Sequence, residues 1–231
     1  MNTLGMVIAA NLMATFVIFC GLKLFDLGSN LADPIRKYGP VLSVIFVLVS
    51  ICNFLLKDTL DLIDGNYALW MITVGMVGFA FLGFIINLTK KSLLVPKRKE
   101  SRRRNRMSKL SVAAVAALDI VIGCVVGAVA GISFTLNFGT GFIVLCALVL
   151  LQIVGKVATI RRYQDAHFSR SENITVLSLS LLASPIVAIL VNMWAREHYR
   201  HVGIFMALAI GYLVYRGVYQ VILIVKKFQN R

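Results

Sequence analysis

Seven runs of mostly apolar residues divide the chain, each about as long as a bilayer is thick, and this pattern restricts the fold more than any motif does. A helix rises about 1.5 Å per residue, so about 20 apolar residues cross a hydrocarbon core of about 30 Å. The runs are Leu4–Leu24, Val41–Leu56, Leu69–Leu88, Leu110–Leu136, Thr140–Val157, Ile174–Trp194 and Gly203–Ile224. Inside lipid every backbone N–H and C=O must find a partner within the segment, which makes helices the spanning structure for runs of this length. The chain therefore reads as all-α, a polytopic bundle of about seven spans forming one integral membrane domain over residues 1–231. The first run has no basic stretch before it and no small-x-small cleavage signal after it, so it reads as a retained span. Apolar residues make up 59% of the chain, against about 45–50% in soluble domains.

Charge sets the expected orientation. Of 24 Lys and Arg residues, ten lie in "TKKSLLVPKRKESRRRNRMSK", residues 89–109, beside the single acid Glu100. Short loops rich in Lys and Arg stay in the cytoplasm. That places the N-terminus outside and the C-terminus inside, in a cell membrane read as a bacterial plasma membrane from the short loops. The arginines Arg102, Arg103 and Arg104 then face anionic lipid headgroups, each basic residue contributing about 1 kcal/mol near the surface. The basic run has no interleaved aromatics and no nucleic-acid-binding fold around it, so nucleic acid is not an expected partner. The expected partners are the bilayer, anionic headgroups, a divalent cation if the chain transports one, and a second copy of the chain.

One acid interrupts the fourth run, in "ALDIVIGCVVGAVAG". Asp119 lies nine residues into that run, a depth of roughly 14 Å by helical rise. A carboxylate there costs at least about 2.5–3.5 kcal/mol on insertion scales, so it must face a partner or water. Arg216, in "GYLVYRGVYQ" of the seventh run, lies at nearly the same depth and is the expected ion-pair partner. Gly123, Gly127 and Gly131 recur every fourth residue on one helix face, where small residues let two helices approach closely. Asp119 precedes Gly123 by four and shares that face, so its carboxylate is expected to point into a tight helix contact.

The remaining polar signals are fainter. Gln152, Asn11, Ser184 and Asn192 can bond between helices, and Pro185 predicts a kink or break in the sixth span. Asp58, Asp61 and Asp64 form an acidic outer connection that could gather cations at a pore mouth. Cys20, Cys52, Cys124 and Cys146 all fall within runs, with no metal or disulfide spacing. No span contains histidine or glutamate, no Ser-His pair falls within one, and there is no HExxH or phosphate-binding loop. Neither enzyme catalysis nor a cofactor is expected.

The order of features resembles the ZIP family of divalent metal transporters. The start outside, the long cytoplasmic loop between spans three and four, and the short outer turn between spans four and five carry that likeness. "FLLKDTL" (residues 54–60) is similar to the family's HLLPEAL, "LDIVIGCVVGA" (118–128) to HNxPEGLAVGA, and "LSLLASPIVAIL" (179–190) to its serine- and proline-bearing sixth span. The resemblance implies a divalent cation path. It puts Asp119 at the asparagine of the family's metal motif, Gln152 in the region of its fifth-span ligands, and Asp58 at the span-two glutamate. The departures fall on that chemistry. The family's span-four histidine and glutamate are Leu118 and Ile122 here, its span-two histidine is Phe54, and the eighth span is missing. Zinc favours about four His, Cys or carboxylate ligands, so Asp119 is left as the one strong intramembrane candidate. Two functions follow as expectations: a cation transporter of ZIP-like architecture with a degenerate metal site, or a non-transporting accessory, regulatory or assembly protein whose basic loop binds lipid or a partner.

Overall fold

A computed structural model of the chain describes residues 3–26, 32–94, 109–135, 137–165 and 170–229. Arg102, Arg103 and Arg104 lie outside the described residues. Eight α-helices follow in order: α1 (Thr3–Asp26), α2 (Ala32–Ser50), the short α3 (Leu56–Leu60), α4 (Gly65–Leu94), α5 (Lys109–Ser133), α6 (Phe138–Asp165), α7 (Arg170–Glu197) and α8 (Tyr199–Gln229). A π-helical turn, Ile51–Leu55, joins α2 to α3 without a break, so these pieces make one span. Among the described residues there is no strand.

Seven segments are long and apolar enough to cross a membrane: Leu4–Leu22, Tyr38–Leu60, Gly65–Lys90, Ala113–Ser133, Phe138–Val157, Ser171–Glu197 and His201–Ile222. The protein is a multi-pass membrane helix bundle. The second span is longer than the sequence reading of Val41–Leu56, because α2 carries Pro40 within it and the π turn prolongs the helix to Leu60. The large side chains of Phe16, Trp70, Phe81 and Phe84 are exposed on the outside of the bundle. In water that would be costly, but against lipid tails it is not.

Because lipid gives apolar helices no hydrophobic reason to associate, backbone approach and polar contacts must supply it. The most extensive contact is α5 on α7, followed by α4 on α8. Gly123, Gly127 and Gly131 of α5 press directly on the carbonyl oxygens of Ser180, Ser184 and Ala188 of α7, leaving no space for a Cβ. Asn192 clamps the far end of this contact by donating from Nδ2 to the Gly131 carbonyl at 3.2 Å. On the other pair, a Cβ on Gly75 would meet the Leu208 carbonyl oxygen at 2.8 Å, and one on Gly211 would meet the Met76 nitrogen at 2.6 Å. Helix α7 runs unbroken through Pro185, so of the expected kink or break the break does not occur. The missing proline N–H deprives the Leu181 carbonyl of its helical donor.

The α5–α7 contact generates a paired prediction. Gly127→Ala forces a methyl into the Ser184 carbonyl and should lower stability by about 1–3 kcal/mol. Gly78→Ala, where nothing lies within 4 Å, should instead be neutral or gain up to about 1 kcal/mol from helix propensity. Thermal unfolding midpoints in one detergent read both. Equal effects at the two positions would mean that the glycine face carries no packing.

Candidate functional site: a buried charge cluster

Alternation of the seven spans brings the C-terminal ends of α4, α6 and α8 and the N-terminal ends of α5 and α7 to one side. Here Asp119 is almost fully buried, at 2% exposure. Lys90 of α4 donates to its Oδ1 as a buried ion pair, and the Tyr163 hydroxyl of α6 donates to its Oδ2. Both carboxylate oxygens are thereby engaged by groups from two other helices. A charge-assisted pair with a second donor on the free oxygen is the arrangement that makes a buried carboxylate tolerable.

The expected Asp119–Arg216 pair is thus corrected: the carboxylate's ion pair is with Lys90. The reason is the length of the third span. Its helix continues past Leu88 through Leu94, so Lys90 sits on a rigid turn within reach of α5 and its stem extends to the carboxylate. Arg216 is nonetheless close. Its guanidinium lies against α6, where a Cβ on Gly155 would stand 3.2 Å from Nη2. Its Nε is buried with no hydrogen-bond partner. Lys156, next to Gly155, is 7% exposed and lies in the combined field of Asp119, Lys90 and Arg216. Its Nζ donates to the Ser180 hydroxyl, which donates in turn to the Leu177 carbonyl at 3.2 Å.

Gln152 does not join this cluster. It lies one turn before Lys156 on α6 and lines a separate small pocket with Asn11, Thr15 and Ser184. That pocket has room for about one water molecule. Asp58, Asp61 and Asp64 also take separate places. Asp58 accepts from the Thr140 hydroxyl at 3.0 Å, linking α3 to α6. Asp64 accepts the Asn66 N–H at 2.8 Å and caps the start of α4, and Asp61 is exposed at the end of α3. Among the described residues no three His, Cys, Asp or Glu side chains gather where they could hold a metal ion.

Lys90, Lys156 and Tyr163 are the members of the cluster that sequence reasoning missed. The two lysines count only toward the inside-positive charge, and Tyr163 lies beyond the apolar run that ends at Val157. The available signal was helical continuation: Tyr163 follows Lys156 by seven residues, two turns along one face. Compared with known proteins, the sequence matches no family model and no curated relative.

The ion pair can be tested by truncating one side and then both. Lys90→Met leaves a buried carboxylate held by Tyr163 alone and should cost about 3–5 kcal/mol. The double variant Lys90→Met with Asp119→Leu removes both charges and should recover most of that loss, as read by unfolding midpoint. A double variant no more stable than Lys90→Met would refute the coupling.

Proposed function

We propose that this integral membrane protein does not conduct divalent metal and acts instead as an accessory, regulatory or assembly component of the membrane, working through its basic cytoplasmic side. The observation that carries this reading is the state of Asp119. Each of its oxygens already accepts a hydrogen bond, from Lys90 and from Tyr163. Lys156 and Arg216 stand in the same cluster. Three cationic side chains in one cluster repel an approaching divalent cation, and a metal would have to compete with the donors already on both carboxylate oxygens. Manganese or magnesium would want several free oxygen ligands, and Asp119, with both oxygens already hydrogen-bonded, is a poor source of them. The sequence between α4 and α5 is strongly basic, a composition that attracts anionic headgroups or an acidic partner.

The competing reading, a ZIP-like cation transporter, draws support from the π-helical turn Ile51–Leu55 just before Asp58, since such turns recur at functional sites. Flux into proteoliposomes separates the two. Under an inward gradient of Mn²⁺ or Zn²⁺, the protein should give no more uptake than empty vesicles, and Asp119→Asn should leave that baseline unchanged. Uptake by the wild type that Asp119→Asn abolishes would establish the transporter reading in its place.

A further inference from the structure

The charge cluster is not balanced. Lys90, Lys156 and Arg216 bring three positive side chains into one region of the bundle, and Asp119, already paired with Lys90, brings the negative one. Among the described residues neither Lys156 nor Arg216 forms an ion pair. Lys156 is more than nine-tenths buried, and the partner of its ammonium is a neutral hydroxyl. The Nε of Arg216 has no partner at all. Unpaired charges in such surroundings carry a large desolvation penalty. Ionisable groups in membrane segments normally mark a ligand or a path when they are not consumed by each other.

We propose that Lys156 and Arg216 form a binding site for a phosphate oxyanion, carried by an anionic lipid headgroup or free in the cytoplasm. Three features fit this ligand. A guanidinium presents a planar fork to oxyanions and a lysine adds a movable point charge, the pairing that phosphates favour. Gly155 directly precedes Lys156, and its missing side chain gives room on α6 for the Arg216 guanidinium, whose Nη2 would stand 3.2 Å from a Cβ there. The depth is also suitable. Lys156 stands one residue before the end of its span at Val157, and Arg216 six residues before Ile222, a depth of roughly 9 Å by helical rise. Long basic side chains at that level reach the phosphate layer. Basic pockets between helices on this side of a membrane suit phosphorylated headgroups. One turn beyond Arg216, Gln220 is 2% exposed and its Oε1 lacks a donor. A protonated phosphate oxygen or a headgroup hydroxyl supplies the missing O–H.

This site stands whether or not the bundle moves anything across the membrane, so its test is one of binding. The full-length protein, purified and stripped of lipid in detergent, receives phosphatidylglycerol, phosphatidylcholine or inorganic phosphate at constant ionic strength, and its unfolding midpoint is measured. Near a hundredfold excess over the dissociation constant, the occupied site should raise the midpoint by about 5–10 °C. A rise with phosphatidylglycerol alone assigns the ligand to the lipid, and a rise with inorganic phosphate assigns it to the free ion. Lys156→Met and Arg216→Gln should each remove most of the rise, whereas Arg102→Gln/Arg103→Gln/Arg104→Gln should keep it. Should one of the two site variants fail to fold, the other is read alone. No rise of the wild type with either oxyanion would overturn the proposal, as would an equal rise with phosphatidylcholine. A rise lost in the triple loop variant but kept in both site variants would overturn it as well.

Discussion

Backbone-to-backbone contact between α5 and α7 is the interaction on which the rest of this bundle depends. Three glycines of α5 rest on three carbonyls of α7, leaving no room for a Cβ between the two backbones. A second close pair, α4 with α8, is built on Gly75 and Gly211. In a solvent as apolar as the side chains, van der Waals contact and polar bridges are what remain to hold helices together. The Lys90–Asp119 ion pair bridges the two tight pairs, from α4 to α5, and the Tyr163 hydroxyl adds α6 to the same carboxylate.

This geometry explains why a charge is tolerated so far from water. A carboxylate facing lipid would be prohibitive, and one facing a single mobile lysine would be costly. With one donor on each oxygen and almost no exposure, Asp119 becomes a specific tie between helices that have few other reasons to choose one another. The uncompensated cations beside it are a different matter. Lys156 reaches from α6 to the Ser180 hydroxyl of α7, but among the described residues neither it nor Arg216 forms an ion pair, and the proposed oxyanion site rests on that imbalance.

The sequence shows the parts of this arrangement unevenly. The seven spans are legible because bilayer thickness imposes a length that hydropathy reports directly, and the described helices cover all seven. The four-residue spacing of Gly123, Gly127 and Gly131 identifies a face, but not the helix it meets. The partner of Asp119 was beyond depth matching. Arg216 lies at the right level, but Lys90 takes the carboxylate because α4 extends past the apolar run and its lysine has a long, flexible stem. Hydropathy ends a span where the apolar residues end, whereas the helix ends where its backbone bonding ends, several residues later. Tyr163 falls in the same gap, beyond the apolar run at Val157 but within α6, which continues to Asp165.

Residue composition and spacing alone therefore determined that this chain lies in a membrane, crosses it as helices, and buries one acid among them. Hydrocarbon thickness and the cost of unbonded backbone act on each segment separately, so a local reading captures them. Only the tertiary structure decided which helices pair, which lysine neutralises Asp119, and which two cations are left over. Those outcomes depend on contacts between residues 29 positions apart for Lys90 and Asp119, and 44 apart for Asp119 and Tyr163. Side-chain reach and helix crossing select such contacts, and neither has a period or a motif that a linear sequence can display.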